Sequence, residues 1–429
     1  MSQHGEAASE VGGEEAGDAI GDEAARDAIG DEAAREVVDR GDLRIAVIGY
    51  GLRRNLARLA HRPGAGSVVS AVCDRSERAR TEAVGELGPG LHVVSDVSEL
   101  PVGELDAVMI LTPDQTHAAL ATWALDQGLA TFCEKPLTTS VDDADALLHT
   151  AYRTGTRLYV GHNMRHMPVV RQLRAIVASG EIGRVRAIWC RHFVGEGGDY
   201  YFKDWHAERR NVGTLLLQKG AHDLDVIHWL AGGYTKAVSG IGDLAVYGDV
   251  TDRRDNSDRL LFDWHSRDTW PPTAQRELNP VIDVEDISML NLQLEGGVLA
   301  SYQQCHFTPD YWRSYTIIGD AGRAENIGDA GGDQIAVWTS RHSSAREPSR
   351  VETIEIGEGG HGGADPALIA EFVRFAREGG ATEVSAIAAR QAVAAACRGA
   401  ESIRGDGGLL AVPELDPELV AYFDRGQRR

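Results

Sequence analysis

The 429-residue sequence is poor in several things, and each shortage excludes a class of protein. It has five cysteines (Cys73, Cys133, Cys190, Cys305, Cys397), odd in number, widely spaced and without a CxxC pair. That usage excludes a disulfide scaffold or a zinc cluster and suits reduced thiols. No apolar run approaches the roughly 20 residues that span a bilayer, so no membrane helix is expected. Basic side chains are outnumbered, 43 Lys and Arg against 65 Asp and Glu, for a net charge of −22. A surface that negative repels a phosphate backbone, and nucleic acid is excluded as a partner. The first residues lack the basic and apolar regions of an export signal, which makes the cytoplasm the expected compartment. Fifteen histidines show no HExxH or facing Cys/His set, so no metal site is expected.

What is present is ordinary globular composition, with 43% hydrophobic and 6% aromatic residues, at a length suited to two cores rather than one. The charge is uneven. Residues 1–42 hold 13 acidic and 3 basic side chains and a nine-residue duplication, DAIGDEAAR at 18–26 and again at 27–35. This segment cannot bury enough apolar surface to order itself and reads as a solvated tail.

From Leu43 the pattern changes. Short apolar, β-branched runs at Leu43–Ile48, Ser67–Cys73, Leu105–Thr112, Leu129–Cys133 and Arg157–Val160 alternate with helical spacing at 52–61, 75–87, 114–127 and 140–154. Such alternation predicts a doubly wound parallel sheet covered on both faces, a dinucleotide-binding α/β domain over 43–165. Beyond it, helices at Val169–Ser179 and about 218–230 accompany strands at Arg184–Phe193, Lys236–Val246, Ile287–Phe307 (with a turn at Glu295-Gly296-Gly297), Ser314–Ile318 and Arg350–Ile356. These predict an α+β domain with an open, mostly antiparallel sheet over 166–429. Residues 249–280 read as a long surface loop, and helices at 366–378 and 384–402 as elements folding back onto the sheets.

The first strand runs into Gly49-Tyr50-Gly51-Leu52 and then a helix. Two glycines there allow a tight turn and let backbone approach a pyrophosphate at the helix N-terminus. The third fingerprint position is Arg54 rather than Gly or Ala. Asp74 ends the next strand, where a carboxylate accepts hydrogen bonds from the adenosine ribose and disfavours a 2′-phosphate, so NAD is expected over NADP. Arg75 beside it weakens that preference, because guanidinium pairs well with phosphate. The other reading of Asp74 is a helix N-cap.

At Glu134-Lys135-Pro136 the pattern becomes specific. With Leu111-Thr112-Pro113-Asp114-Gln115-Thr116-His117, Gly161-His162-Asn163-Met164-Arg165, Gly180-Glu181-Ile182-Gly183 and the run from Gly213 to Asp225, the chain resembles the Gfo/Idh/MocA family of sugar and cyclitol oxidoreductases over roughly residues 43–405. The resemblance implies a Rossmann domain and a C-terminal domain whose open sheet often mediates oligomers, hence a homo-oligomer (dimer or tetramer) acting on a sugar or cyclitol. It places Thr112, Pro113, His117, Glu134 and Lys135 at the cofactor, Lys135 beside the nicotinamide and the reacting hydroxyl with Pro136 in cis, and His222 as the group that takes the hydroxyl proton. Hydride leaves a carbinol carbon only as its oxygen loses a proton, so a base and a cationic donor must both reach that oxygen.

One departure stands out. Where many family members carry Asp four residues before the catalytic His, this chain has Gln218, which hydrogen-bonds hydroxyls but carries no charge. Positions 218 and 222 are expected on one side of one helix, with Lys219 adding positive charge if it points inward and Asp225 either orienting His222 or pairing elsewhere. Asn163, Arg165 and Trp205 complete the expected substrate contacts, with Cys305-His306 and His361 as weaker candidates. Two further readings remain beside a dehydrogenase: a redox-neutral hydrolase or lyase that retains NAD, which Gln218 keeps open, and a non-catalytic NAD or sugar sensor.

Overall fold

The computed structural model describes residues 41–341, 344 and 346–428; the duplicated acidic segment lies outside them. The first apolar run forms β1 (Leu43–Ile48), followed by α1 (Arg54–Ala60), β2 (Ser67–Cys73), α2 (Glu77–Leu87), β3 (His92–Val94), β4 (Ala107–Ile110), α3 (His117–Asp126), β5 (Ala130–Cys133), α4 (Val141–Thr154) and β6 (Leu158–Val160). The six strands pair in parallel in the order β3-β2-β1-β4-β5-β6. The order reverses between β1 and β4, which opens a crevice at the carboxyl ends of those strands. Local chemistry agrees with each boundary: Ser140 caps α4 by accepting the Asp143 N–H, and Gly155 ends it in the left-handed conformation.

The chain continues through α5 (Pro168–Ser179), β7 (Val185–Phe193), three short helices α6 (Gly197–Tyr201), α7 (Arg209–Val212) and α8 (Leu215–Gln218), and α9 (Gly220–Ala231). Then come β8 (Thr235–Asp243), β9 (Ile287–Leu294), β10 (Leu299–Cys305), β11 (Trp312–Gly319), β12 (Arg323–Ile327), β13 (Gln334–Trp338), β14 (Arg350–Thr353), α10 (Ala364–Glu378), α11 (Ala386–Arg404), β15 (Leu410–Ala411) and α12 (Pro417–Asp424). The second sheet runs β14-β13-β12-β11-β7-β10-β9-β8-β15, antiparallel except where β10 meets β7. Apart from two single 3-10 turns, 249–280 forms no helix or strand, as its composition predicts.

Alternation along this sheet separates its faces. Ile188, Cys190, Leu290, Leu292, Ala300 and Tyr302 are buried under α9 and α11, whereas Trp189, Ile241, Met289 and Leu299 share the other face and are exposed. Helix α10 returns to the parallel sheet: Leu368, Ile369, Phe372 and Phe375 pack in one cluster with Leu56, Val69, Phe132 and Tyr159. The last third of the chain therefore buttresses both sheets and carries side chains to the crevice. All five cysteines are free thiols, and among the described residues no helix is long and apolar enough to cross a membrane.

Candidate active site

The crevice is built from the turns that follow β1, β2, β4 and β5. Gly49 turns at φ 88°, and a Cβ there would come within 2.9 Å of both the Leu111 carbonyl oxygen and Thr112 Cγ2. Only glycine fits so close an approach in that conformation. At Gly51 a Cβ would meet nothing within 4 Å, so the turn faces open space just before α1. The Tyr50 N–H donates to Asp74 Oδ2 (2.7 Å) and the Ser76 N–H to Asp74 Oδ1 (2.8 Å). Ser76, not Asp74, caps α2. Asp74 thus ties the glycine turn to the end of β2 while remaining partly exposed. An open glycine turn beside a partly exposed carboxylate fits the pyrophosphate and adenosine ribose of NAD. Tyr50 contributes backbone alone, since its ring is buried and its hydroxyl bonds Glu86; Leu52 and Arg75 stand exposed at the mouth.

Two of the expected cofactor residues turn out to be braces. His117 is wholly buried, its Nδ1 2.7 Å from the Pro136 carbonyl and its Nε2 2.9 Å from the Thr112 carbonyl. Two carbonyl oxygens require a proton on each nitrogen. Burial opposes that charge, yet Cys133, Asp114 and the Pro136 carbonyl hold the imidazole pKa up at about 10. This clamp locks the turn after β4, where Thr112 and Pro113 lie, to the Lys135-Pro136 bend, whose peptide is cis. Glu134 accepts from Arg53 Nε (2.6 Å) and from the Lys135 N–H (2.6 Å). Arg53, which sequence reasoning did not single out, also donates to both oxygens of Asp365 on α10. It links the glycine turn, the Glu-Lys-Pro bend and the C-terminal helices.

Lys135 itself is not consumed by Glu134. Its Nζ donates to the Gln218 carbonyl oxygen at 2.9 Å. Burial lowers its pKa to about 8, against the raising pull of Glu134 and Asp114. The contact is possible because the expected single helix through 218–230 is broken: α8 ends at Gln218, and α9 begins at Gly220. The break sits where Gly220 presses on the Tyr302 ring, 2.8 Å from where a Cβ would lie. Gln218 and His222 therefore do not share a continuous helical face. The Gln218 carbonyl meets Lys135, while its Oε1 is buried without a partner.

His222 lies in the first turn of α9 and lines a cavity of about 320 Å³, together with Asn163, Lys219, Tyr311, Arg313 and His361. Its Nδ1 is buried and unpartnered. Burial first, then the Lys135 ammonium, hold its pKa well below the usual imidazole range. It is a neutral base. Asn163 donates to Asp365 (2.9 Å), leaving its own buried Oδ1 unbonded. Lys219 does point into the cavity.

Other candidates are engaged elsewhere. Arg165 forms a buried two-point pair with Asp225 (2.6 and 2.8 Å) and donates to the Glu383 carbonyl, so its guanidinium is spent on packing α9 rather than on lining the cavity. Asp225 accordingly pairs with Arg165 and does not orient His222. Trp205 stacks on His206 at 3.7 Å and is absent from the cavity wall, as are the half-buried Cys305 and the buried His306. Tyr311 and Arg313 reach the cavity from the start of β11, too far along the chain for spacing to reveal them. Behind them Asp223 is fully buried and receives Arg313 Nε (2.9 Å), Tyr315 Oη (2.5 Å) and Tyr302 Oη (3.1 Å).

Comparison with known proteins agrees with this architecture. Residues 43–162 match the oxidoreductase family model described as an NAD-binding Rossmann fold, and residues 170–325 match the GFO/IDH/MocA C-terminal domain. The YteT protein of Bacillus subtilis is 26% identical over 66% of this chain and 77% of its own length. An inositol 2-dehydrogenase of Rhodococcus erythropolis is 36% identical over 36% of this chain. The match spans only 45% of that enzyme, and an inositol 2-dehydrogenase of Mycolicibacterium smegmatis and a myo-inositol dehydrogenase of Streptomyces leeuwenhoekii are matched over 44% and 56% of their lengths. A structure of a levoglucosan dehydrogenase in complex with NADH and levoglucosan superposes with a TM-score of 0.70, covering 87% of this chain and all of that one at 19% identity. At that identity the likeness speaks for the fold.

Proposed function

As the chain belongs to the Gfo/Idh/MocA oxidoreductase family, we propose that it is an NAD-dependent dehydrogenase of a secondary alcohol on a sugar, sugar derivative or cyclitol. The observation that carries the proposal is the neutral, unpartnered His222 imidazole on a cavity wall, close enough to the Lys135 ammonium to feel its charge. Gly49, Gly51 and Asp74 would hold the cofactor, with Thr112, Pro113 and Glu134 shaping its nicotinamide end. NAD, when bound, supplies the hydride acceptor.

The remaining chemistry belongs to the chain. The substrate hydroxyl gives its proton to His222 as the carbinol hydrogen departs with its electron pair. Lys135 donates a hydrogen bond to the developing alkoxide, in a site where burial makes that charge more effective than in water. Anchored by the Gln218 carbonyl, its ammonium is already oriented before substrate arrives. Asn163 and the Gln218 side chain offer unbonded acceptors to neighbouring hydroxyls. Gln218 also removes the carboxylate that would have favoured protonation of His222. Asp74 supports NAD over NADP.

The inositol and levoglucosan dehydrogenases among the similar proteins support a polyol substrate. The exposed Trp189, Ile241, Met289 and Leu299 on the open sheet face support a homo-oligomer, dimer or tetramer. The free thiols suit a reducing cytoplasm. The test is growth of the reduced-nicotinamide absorbance with NAD across a panel of sugars and inositols. Net accumulation supports a dehydrogenase. Tight NAD binding with release of free sugar from a glycoside, and no accumulation, would replace it with the redox-neutral reading.

A further inference from the structure

Lysine is nearly absent from this protein. Among 429 residues there are four, Lys135, Lys203, Lys219 and Lys236, and arginine supplies the other 39 cations. Two of the four converge on the crevice. Lys135 has a role in the chemistry proposed above; Lys219 has none assigned.

The surroundings of Lys219 differ from those of the neighbouring cations. Arg53 pairs with Glu134 and Asp365, Arg165 with Asp225, Lys203 with Asp199 and Arg313 with Asp223, each within 3.2 Å. Lys219 has no carboxylate within 4 Å among the described residues. Its Nζ donates to the Tyr311 hydroxyl at 2.9 Å and lies 5.3 Å from the Tyr311 ring centre and 5.8 Å from that of Tyr201. Aromatic faces and a phenol oxygen steady an ammonium without neutralising it. Burial works to raise the Tyr311 hydroxyl, but Arg313 and Lys219 outweigh it and bring it down to about 8.

The wall of the cavity carries the rest of the argument. Lys219, Tyr311 and Arg313 line it together, and His222 beside them is neutral. Arg313 is bound to Asp223 through Nε, and its Nη1 reaches toward the Tyr311 hydroxyl at 3.5 Å. The cavity also has two carboxylates, Asp329 and Glu355. Asp329 accepts the Arg313 backbone N–H at 2.9 Å, and burial raises its pKa. A partly buried cation with no counter-ion is stabilised most by an anion that the ligand brings, and a charge-assisted bond of this kind outweighs a neutral one.

We propose that the substrate bears an anionic substituent, a carboxylate or a phosphate, and that Lys219 assisted by Arg313 and the Tyr311 hydroxyl binds it. The proposal deepens the dehydrogenase reading and rests on it for the polyol part of the ligand: the reacting hydroxyl sits at His222 and Lys135, and the anionic group at Lys219. Lys219 is a specificity residue and takes no part in hydride or proton transfer.

The scarcity of lysine makes the test direct. Protein labelled with carbon-13 at the lysine ε position gives four signals, and Lys219→Met assigns one of them. NAD-loaded full-length protein is titrated with glucose, glucuronate and glucose 6-phosphate, which differ in charge on a common ring, and with acetate and inorganic phosphate as ring-free probes. The expected result is a saturable shift of the Lys219 signal by glucuronate and acetate, or by glucose 6-phosphate and phosphate, about 10- to 100-fold tighter than by glucose. The Lys236 signal should stay still. The arm that responds identifies a carboxylate or a phosphate. In calorimetry the anionic-over-neutral preference should collapse in Lys219→Met and survive in Lys219→Arg; Lys219→Gln gives the same comparison if the methionine variant does not fold. A Lys219 signal that moves no further than Lys236, or a preference unchanged in Lys219→Met, overturns the proposal. The readout is binding, so its failure is separable from that of the dehydrogenase: NAD reduction with neutral polyols and indifference to the anions would sink this site alone.

Discussion

Helix α9 carries two kinds of buried polar residue one position apart. Asp223 and Asp225 are closed: the first is met by Arg313, Tyr302 and Tyr315, the second by Arg165 at two points. His222, immediately before Asp223, is open, with a buried nitrogen that nothing bonds, and Gln218 and Asn163 each leave a buried side-chain oxygen unbonded as well. Buried polar groups in folded proteins find partners as a rule, so a cluster without them points to partners that arrive with a ligand. The closed pairs hold the helix, and the open groups wait on chemistry. Charge follows the same division. Asp223 is held below the usual carboxylate range by Arg313 and His192 against the pull of burial, whereas burial and Lys135 keep His222 uncharged.

That contrast can be broken by substitution. The largest effect is expected at the open groups: His222→Ala should lower kcat by about 10²- to 10⁴-fold, and Lys135→Ala by about 10²- to 10³-fold, with NAD affinity in calorimetry little changed. Loss of cofactor binding in either variant would move these residues out of the chemistry. Next comes the closed side. Asp223→Ala leaves Arg313 buried without its counter-ion and should remove about 3–5 kcal/mol of stability, read by urea denaturation. His222→Ala should be far milder in the same assay; equal losses would erase the distinction.

A smaller effect is predicted at the cofactor. Asp74→Ala removes a carboxylate that also receives the Tyr50 and Ser76 N–H groups. NAD binding should weaken by about 1–3 kcal/mol, with the preference over NADP reduced, as measured by the ratio of kcat/KM values. The smallest concerns pH. Lys135 is an ammonium below its pKa of about 8 and loses that charge above it. His222 is in its base form down to well below the usual imidazole range. The kcat/KM profile should be flat from mildly acid to neutral pH and fall above about 8. An inflection near the ordinary histidine pKa would show that His222 titrates as an exposed residue does.

Much of this was legible before any coordinates. Five apolar runs of the parallel sheet read directly, because strands buried on both faces are continuous in sequence. Its edge strand β3, His92–Val94, escaped notice at three residues, and β12, Arg-Ala-Glu-Asn-Ile, because polar and charged side chains interrupt its short apolar pattern. At the site, the roles of Lys135 and His222 came from the family resemblance carried by Glu134-Lys135-Pro136 and the run from Gly213 to Asp225. Tyr311, Arg313 and Arg53 did not, since their roles depend on residues about 90 to 310 positions away, which only the folded sheets bring together. Arg165 misled for the same reason. Its place after β6 pointed to the crevice, but Asp225, 60 residues on, draws the guanidinium into a buried pair. The break between α8 and α9 has a tertiary origin too, in the approach of Tyr302 to Gly220.

The most direct test of the account is the absorbance of reduced nicotinamide in matched samples of the wild type and His222→Ala, each with NAD and the same panel of neutral and acidic polyols. Signal that grows in the wild type with one polyol and is nearly lost in a variant that still binds NAD is the predicted result. A flat wild-type trace across the panel, or a variant that reduces NAD as fast as the wild type, would contradict the central claim that His222, with Lys135, does the chemistry.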